Sequence, residues 1–527
     1  METDSGETRS IWMQDPVPNF PALDGDAQAD ICVVGAGITG LTTAYTLARA
    51  GRAVLVLEDG SIGGGETGRT TAHLSDALDD RYYVLERIHG RDGARFAAAS
   101  HGAAVDRIES IVRDERIDCG FERLDGYLFR GRDDRSDVLE RELEAAHRAG
   151  LAGTALATIS APPGFDGEPC LRFPRQAQLH PLRYLGGLAR AALAAGASIR
   201  TGTRVTAVED GAVCRAVTQR GPTVTANEIV VATNSPISDR LAIHTKQAAY
   251  RTYVIALEVS RDAVPPGLLW DTEDPYHYVR THTDADGRSA LIVGGEDHKT
   301  GQADDARERF GRLELWARAR FPTAGAVRYR WSGQVLEPVD HLAFIGRDPG
   351  KQHIYIATGD SGHGMTHGTI AGMLITDLIH GHENPWAELY SPDRKSAMAI
   401  GTYARENLNV ARQLGDYLTP GDAHELAAVR QGTGAIVRRG ARKLAVYRDD
   451  AGTVHARSAV CTHVGCIVHW NDVEKSWDCP CHGSRFDVDG EVINGPAHAP
   501  LAAVVFDDEP RAAASTADRS EGDQPRL

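Results

Sequence analysis

Residues 30–51 read DICVVGAGITGLTTAYTLARAG, and the run AVLVLE at residues 53–58 follows one residue later. An apolar strand pattern, a glycine-rich turn, a helical pattern with one apolar face and a second apolar run succeed one another. This order is typical of a dinucleotide-binding βαβ unit. Glycines at this spacing also occur in ordinary βα turns, so the flanking strands carry the argument. The stretch predicts an α/β Rossmann-type domain built on a parallel sheet.

Each glycine of the turn has its own structural reason. Gly35 permits the tight turn, Gly37 lets the backbone approach a pyrophosphate, and Gly40 allows close packing of the helix on the strand. The helix N-terminus favours the negative charge of the phosphates. Glu58, which ends the second strand, is expected to accept hydrogen bonds from the adenosine ribose hydroxyls.

Further stretches follow in a fixed order: GGGETGRTTAH at 63–73, QLHP at 178–181, EIVVATNSP at 228–236 and IYIATGDSGHGMT at 354–366. With the βαβ unit they resemble the glycine oxidase and D-amino-acid oxidase class of flavoproteins, over about residues 28–385. In that class the last stretch points backbone N–H groups at the flavin edge where negative charge accumulates on reduction. The resemblance implies FAD as the cofactor.

The resemblance also implies individual FAD contacts, including Val205 in the strand pattern after Gly-Ala-Ser-Ile-Arg. The implied FAD-binding residues are Gly35, Gly37, Gly40, Glu58, Thr67, Gly68, Arg69, Thr70, Thr71, Val205, Gly359, Gly362, Gly364, Met365 and Thr366.

Near the C-terminus the chain carries two short boxes, Cys461-Thr-His463-Val-Gly-Cys466 and Cys479-Pro-Cys481-His482-Gly-Ser484. A Rieske [2Fe-2S] centre needs two thiolates on one iron and two imidazoles on the other, and two loops that each supply Cys and His meet this need. Cys and His at short spacing also suit a tetrahedral zinc site, which is the alternative.

The boxes resemble the Rieske proteins of quinol-oxidising respiratory complexes, over about residues 417–505. The resemblance implies that the metal ligands are Cys461, His463, Cys479 and His482, and that Cys466 and Cys481 form a disulfide. In Rieske proteins generally, the two ligand histidines form an exposed edge through which electrons leave, and we expect the same edge here. Ring-hydroxylating oxygenases lack the second cysteine pair and need a further mononuclear iron site, so that class is disfavoured.

Two residues of the second box bear on the reduction potential. Ser484 matches the family's serine, whose hydroxyl hydrogen-bonds a bridging sulfide and raises the potential by stabilising the reduced cluster. Phe486 stands where a tyrosine commonly donates a second hydrogen bond. We therefore expect a potential in the middle of the broad Rieske range.

The amino-acid composition says more about which partners the protein can have than about its function. The chain has 527 residues, a net charge of -16 and 42% hydrophobic residues, which suits a multi-domain protein and argues against nucleic acid as a partner. We find no apolar run of membrane-spanning length, and METDSGETRS at the start is not a secretory signal pattern. A cytoplasmic location is expected, with peripheral attachment to a membrane left open.

The family architecture implies a FAD-binding domain interleaved with an α+β substrate domain, followed by a small all-β Rieske domain. The expected boundaries are 28–90, 175–245 and 330–385 for the FAD-binding segments, 91–174 and 246–329 for the substrate segments, 386–416 for a helical connector, 417–507 for the Rieske domain and 508–527 for a disordered tail.

Flavoproteins of this class usually remove a hydride from a carbon that bears an amine, so the implied substrate is an amine or amino acid. Arg280 and Tyr278 lie on predicted strands of the substrate domain and are candidates for lining the pocket, as are Arg251 and Tyr253. His363 lies in the glycine loop beside the flavin, where a cation would stabilise the reduced anion. Each of these residues also fits a purely structural role.

Because FAD takes two electrons together and a Rieske cluster carries one, the fusion suggests a dehydrogenase that passes electrons singly to an external acceptor, such as a quinone or a redox protein. Two alternatives remain open. The first is a FAD oxidase that uses oxygen, with the cluster as a structural or redox-sensing element. The second is a non-catalytic electron-transfer flavoprotein, which the lack of a second dinucleotide fingerprint disfavours.

Overall fold

The computed structural model describes residues 5–504 except 132–133, 160–164, 166, 239–242, 262, 285 and 396–399. The segment 508–527, which we expected to be a disordered tail, lies outside the described residues. Strands and helices are numbered in chain order. Across the described residues, every helix falls short of the combined length and apolarity that a membrane span requires.

The first sheet has eight strands and contains the βαβ unit. Its strands are β1 (Ala27–Val34), β2 (Val54–Leu57), β7 (Ser198–Arg200), β8 (Val205–Glu209), β9 (Cys214–Thr218), β10 (Thr223–Val231), β16 (Phe344–Arg347) and β17 (Ile354–Thr358). The order β16-β17-β10-β1-β2-β7 places β1 at the centre, parallel to both neighbours, and the β8–β9 hairpin extends from β10. Strands buried on both faces explain the continuous apolar runs in the sequence.

The second sheet has nine strands and forms the core of the substrate domain. Its strands are β3 (His73–Leu74), β4 (Glu122–Phe129), β5 (Ala155–Ile159), β6 (Glu168–Gln178), β11 (Gln247–Val259), β12 (Leu268–Asp271), β13 (His277–Thr283), β14 (Ser289–Lys299) and β15 (Val327–Pro338). The order is β15-β11-β14-β13-β12-β4-β6-β3, with β5 paired to β6. Strands β6 and β15 of this sheet run past residues 175 and 330, where we expected FAD-binding segments to begin.

Eight helices of the described chain cover the sheets and connect the domains. They are α1 (Ile38–Arg49), α2 (Tyr82–Asp114), α3 (Val138–Arg148), α4 (Pro181–Ala194), α5 (Ala306–Arg320), α6 (Gly364–His380), α7 (Ala387–Tyr390) and α8 (Ile400–Gln413). Helix α2 is kinked at Gly90, which has non-helical backbone angles. The apolar faces of α1, α4 and α6 join one continuous core with the first sheet. Helix α8 lies in the segment expected to be a helical connector.

The C-terminal domain is built from two small antiparallel sheets. The first contains β18 (Thr433–Arg439), β19 (Arg442–Arg448) and β20 (Val454–Ser458), and the second contains β21 (His469–Asn471), β22 (Ser476–Asp478), β23 (Arg485–Phe486) and β24 (Val492–Asn494). Trp477 and Phe486 are fully buried in its core, together with the four cysteines of the two boxes. The expected fold class is confirmed: an α/β domain interleaved with a substrate domain, then a small all-β domain.

Candidate functional site

A cavity of about 320 Å³ lies between the carboxyl ends of β1, β2 and β10 and the nine-stranded sheet. In open parallel sheets this edge is where nucleotide ligands bind. Of the residues that the resemblance assigned to FAD, those that line the cavity are Gly35, Gly37, Glu58, Thr67, Arg69, Thr70, Thr71, Val205, Gly362, Gly364 and Met365.

The remaining assigned residues lie just behind the wall. A side chain at Gly40 would strike the Gly35 carbonyl oxygen, so this glycine serves the packing of α1. A side chain at Gly68 would meet the Gly63 carbonyl, and Gly359 has a left-handed φ of +73°. The Thr366 hydroxyl is paired with His101 Nδ1 at 2.9 Å. These residues shape the cavity without lining it.

The nucleotide end of the cavity fits an anionic dinucleotide. Gly35 has a φ of +107°, and a Cβ there would lie 2.5 Å from the Ala232 carbonyl oxygen, so only glycine fits this turn. Helix α1 begins beside the cavity at Gly37, which has no side chain to cap the first turn. A helix N-terminus of this kind attracts phosphate oxygens. The cavity therefore suits the FAD that the sequence predicted.

Glu58 is held beside the glycine turn by backbone donors. Its Oε2 accepts a hydrogen bond from the Ala36 N–H, and its Oε1 accepts one from the Gly60 N–H at 3.1 Å. Burial raises the pKa of Glu58 well above its usual range, and the neighbouring Asp59 carboxyl raises it further. The side chain is thus fixed at the end of β2, as a ribose-binding residue requires.

The opposite end of the cavity is formed by the substrate sheet and the loop before α6. Tyr276, Tyr278 and Thr252 line it, and the Tyr278 hydroxyl lies 2.9 Å from the Thr252 Oγ1. His363 also lines this end, and its Nε2 accepts a hydrogen bond from the Asp79 N–H at 3.1 Å. Tyr278 and His363, two of the proposed catalytic residues, therefore both line the cavity.

Arg280, the third proposed catalytic residue, lies behind the wall. Its Nη1 donates to the carbonyl oxygens of Thr71, Ala72 and Leu179 at 2.8 to 3.0 Å, and its side chain does not line the cavity. Burial lowers the pKa of Arg280 to about 9. Although Arg280 shares a strand face with Tyr278, it lies one step beyond the cavity and ties residues 71–72 to β13.

His73 is engaged on both ring nitrogens. Its Nδ1 lies 3.0 Å from the Thr71 Oγ1, and its Nε2 lies 3.2 Å from the Val279 carbonyl oxygen. Burial lowers the pKa of His73 to about 3, and the nearby Arg280 contributes to this. The imidazole is therefore neutral, and its contacts with Thr71 and Val279 hold it in the cavity wall.

The two cysteine-histidine boxes form one compact site in the C-terminal domain. Cys461 and Cys479 are free, buried thiols beside each other, and the rings of His463 and His482 lie 4.9 Å apart. Among the described residues, the buried Nδ1 of His482 has no hydrogen-bond partner, as expected for a nitrogen that ligates a metal. The donor set fits a [2Fe-2S] cluster.

The expected disulfide between Cys466 and Cys481 is present and joins the two boxes. The sulfur atoms of Cys466, Cys479 and Cys481 lie within 4.8 Å of one another, but the disulfide removes two of them as thiolate ligands. The Ser484 Oγ accepts a hydrogen bond from the Ala497 N–H at 3.0 Å and lies close to the Cys461 sulfur. Cys461 and Cys479 therefore remain as the two thiols that could hold iron.

The structure corrects the expectation of an exposed edge for one of the two histidines: His482 is buried, whereas His463 is partly exposed. His482 is only 8% exposed, and the ring of His463 packs against the ring of the buried His244 at 5.5 Å. His244 belongs to the segment just before β11, in the flavoprotein part of the chain. The histidine edge of the cluster site therefore faces the flavoprotein part.

The C-terminal domain also completes the wall of the cavity. Its contribution consists of Val492, Ile493, Asn494, Gly495, Ala497 and His498. Arg204 donates to the Val492 carbonyl oxygen at 2.9 Å and holds this segment in place. No local sequence pattern could have revealed these residues, because only the docking of the two domains brings them to the cavity.

Gln334 and Ala497 connect the two sites directly, since both line the cavity and hydrogen-bond the second box. Gln334 lines the cavity, and its Nε2 donates to the Gly483 carbonyl oxygen at 3.0 Å, between His482 and Ser484. Gln302 donates to the neighbouring Pro480 carbonyl oxygen at 2.8 Å but does not line the cavity. The cavity and the second cluster box therefore share a wall.

A buried ion cluster fastens the domains together. Glu474 of the C-terminal domain pairs with Arg69 at 3.4 Å and with Arg251 at 3.1 Å, and all three side chains are fully buried. The Glu474 carboxylate also accepts hydrogen bonds from the hydroxyls of Ser332 and Thr8. Arg251, which we had considered for the pocket, thus serves the interface.

Comparisons with known proteins agree with both sites. Residues 30–378 match the DAO family, described as FAD dependent oxidoreductase, and residues 421–505 match the Rieske [2Fe-2S] domain family. The putative Rieske 2Fe-2S iron-sulfur protein YhfW of Bacillus subtilis is 31% identical, covering 93% of this chain and 96% of that protein.

Gamma-glutamylputrescine oxidoreductase of Escherichia coli is 29% identical, covering 69% of this chain and 86% of its own length. The crystal structure of glycine oxidase from Geobacillus kaustophilus aligns with a TM-score of 0.59 at 18% identity, over 70% of this chain and 99% of that chain. At this identity the structural match supports the fold alone.

Proposed function

Since the chain belongs to the DAO family of FAD-dependent oxidoreductases and ends in a Rieske [2Fe-2S] domain, we propose that it is a dehydrogenase for an amine or amino acid. In this proposal the electrons pass singly from FAD to the cluster and then to an external acceptor, a quinone or a redox protein. Bound FAD would supply hydride acceptance, and the cluster would supply one-electron transfer.

The observation that carries the proposal is the shared wall between the cavity and the cluster site. Gln334 lines the cavity and hydrogen-bonds the Gly483 carbonyl, while His244 packs on the ligand His463. Hydrogen-bonded and packed atoms conduct electrons better than open space. A cluster held by Cys461, His463, Cys479 and His482 would thus have its histidine side toward the flavoprotein part.

The remaining residues of the cavity would bind and enclose the substrate. Tyr276, Tyr278 and Thr252 line the end away from Glu58, and the C-terminal domain covers the nucleotide end. Enclosure excludes water and positions the C–H bond that is to be broken. His363, at the start of α6, would change the electrostatic potential beside the flavin.

A FAD oxidase in which the Rieske domain is mainly structural is the second candidate. The buried pairs of Glu474 with Arg69 and Arg251, and the cavity lining by Val492 and its neighbours, favour this alternative because they give the domain a structural task. The two candidates differ in whether the cluster changes its redox state during turnover.

Substitutions of Gln334 and Gln302 test the proposed electron route from FAD to the cluster. An electron can be placed on FAD without any substrate by flash photolysis of a deazaflavin, and the cluster spectrum then reports its arrival. We expect Gln334→Leu to slow cluster reduction several-fold relative to wild type, because it removes the hydrogen bond that bridges the two sites. Gln334→Leu loses two neutral hydrogen bonds, to the Gly483 carbonyl and from the Thr300 hydroxyl, and Gln302→Leu loses one. Each bond is worth about 0.5–1.5 kcal/mol, so both variants should fold.

Gln302→Leu is the matched control, because it removes a similar hydrogen bond to the same loop from outside the cavity. Its cluster should be reduced at the wild-type rate. A cluster that accepts no electrons from photoreduced FAD in the wild-type protein would contradict the proposed function and favour the oxidase.

A further inference from the structure

The end of the cavity formed by the substrate sheet combines aromatic rings with a carboxylate. The rings of Tyr276 and Tyr278 lie 5.5 Å apart, and Trp270 and Asp79 line the same end. The Asp79 Oδ2 and the Tyr276 hydroxyl lie 3.2 Å and 3.6 Å from the point where a Cβ on Gly362 would be placed. The carboxylate and the phenol therefore converge on the loop that precedes α6.

The arginines around this cavity are already occupied by the protein. Arg69 pairs with Glu474 and donates to the Ser332 carbonyl oxygen at 2.8 Å, and Arg204 lies at the nucleotide end, bonded to the Val492 carbonyl. Arg280 donates to three backbone carbonyls, as described above. Arg81, next to Asp79 in space, donates to the Asp79 and Asp271 carbonyl oxygens.

Lysine is also missing from this wall: among the described residues that line the cavity, the permanently charged cations are Arg69 and Arg204. A substrate carboxylate is normally recognised by a free guanidinium or ammonium group, through charge-assisted hydrogen bonds. An ammonium group is recognised by a carboxylate and by aromatic rings. His363 also lines this end, but its Nε2 already accepts a hydrogen bond from the Asp79 N–H and lies 3.5 Å from the Asp79 Oδ2. The composition of this end therefore favours a cation and disfavours an anion.

We propose that this end of the cavity recognises the ammonium group of an amine that carries no carboxylate next to its nitrogen, with Asp79 as the charged partner and Tyr276 and Tyr278 as the aromatic walls. The inference rests on the proposed function and narrows its substrate class from amines and amino acids to amines. Asp79 is a binding residue in this proposal.

The test uses three compounds of matched shape that cannot be oxidised, because the carbon bearing the functional group carries no hydrogen. They are tert-butylamine, 2-aminoisobutyrate, which adds a carboxylate beside the nitrogen, and pivalate, which has the carboxylate alone. Binding to the FAD- and cluster-loaded full chain is followed by calorimetry and by perturbation of the flavin spectrum. We expect tert-butylamine to bind about tenfold or more tightly than either carboxylate.

Asp79→Asn should weaken the binding of tert-butylamine about tenfold or more while FAD content stays at the wild-type level. Tyr276→Leu, as a second variant, should weaken it through loss of the ring. Asp137→Asn is the control, because Asp137 is an exposed carboxylate paired with Arg135 at the surface. Equal or tighter binding of 2-aminoisobutyrate or pivalate, no binding of tert-butylamine, or an unchanged Asp79→Asn variant would each overturn the inference.

An oxidisable pair separates this inference from the proposed function. Butylamine and norvaline differ only by the carboxylate beside the nitrogen, and each is mixed anaerobically with the protein while the flavin absorbance is recorded. Reduction by norvaline alone would overturn the inference and leave the proposed dehydrogenase standing. If a panel of amines and amino acids leaves FAD oxidised although tert-butylamine binds through Asp79, the proposed function fails and the binding site remains.

Discussion

Replacing Cys461 with serine is expected to abolish electron delivery to one-electron acceptors while FAD stays bound. Cys461 is one of two free thiols at the cluster site, since Cys466 and Cys481 are joined in a disulfide. A Rieske cluster needs both thiolates on one iron, and a serine hydroxyl is a poor substitute for a thiolate. Iron and sulfide content, the cluster's electron paramagnetic resonance signal and turnover with a quinone or cytochrome acceptor measure the effect.

Cys214→Ser is the matched control, because Cys214 is a free cysteine in β9 whose sulfur contacts backbone carbonyls at 3.7 to 3.8 Å, far from both boxes. It should keep the cluster and full turnover. A folded Cys461→Ser protein that loses its cluster yet turns over normally with one-electron acceptors would show that the cluster is not part of the route. Normal turnover with oxygen alone would favour the oxidase.

Replacing Glu474 with glutamine is expected to cost about 3–5 kcal/mol of stability, the usual effect of removing one partner from a buried ion pair. The change leaves the guanidinium groups of Arg69 and Arg251 buried without their shared carboxylate. Because these buried ion pairs fasten the C-terminal domain, the variant should also show slower electron transfer from FAD to the [2Fe-2S] cluster. Denaturant unfolding, followed at the flavin and at the cluster, measures the stability, and flash photoreduction of FAD measures the rate of transfer.

Glu491→Gln serves as the control, because Glu491 is an exposed glutamate of the same domain. A surface substitution of this kind usually changes stability by no more than about 0.5 kcal/mol. If Glu474→Gln unfolds at the same denaturant concentration as this control, the buried ion cluster does not hold the domains together.

The same carboxylate predicts how stability depends on pH. Burial alone would raise the pKa of Glu474, but Arg69, Arg251 and Arg485 outweigh burial and hold the pKa at about 2, below the ordinary 4.5. A depressed pKa stabilises the folded state above the pKa of the unfolded chain, and this contribution, about 3 kcal/mol, is lost as pH falls from about 4.5 to 2. Wild-type protein should therefore lose more stability over this interval than Glu474→Gln.

Features formed by residues that are close together in the sequence were predictable from it. The glycine turn at Gly35 and Gly37, with Glu58 at the end of the next strand, identified the dinucleotide site because neighbouring residues form it. The resemblance of the two boxes to Rieske proteins implied the disulfide between Cys466 and Cys481, which is present, beside the free thiols of Cys461 and Cys479.

Features that depend on how domains meet were not predictable. Strand alternation placed Tyr278 and Arg280 on one face of β13, but it could not show that the cavity ends between them. The pairing of Arg251 with Glu474 and the covering of His463 by His244 join residues more than 200 positions apart. No local pattern reports such contacts, since they follow from the packing of whole domains.

The central claim, that electrons from the substrate reach the cluster through FAD, is tested most directly by an anaerobic single turnover. An amine that reduces the protein is mixed with it in a stopped-flow instrument, and samples are freeze-quenched for electron paramagnetic resonance. We expect the flavin absorbance to fall first and the signal of the reduced cluster then to rise at a rate compatible with turnover. A cluster that stays oxidised while FAD is fully reduced and product forms would contradict it.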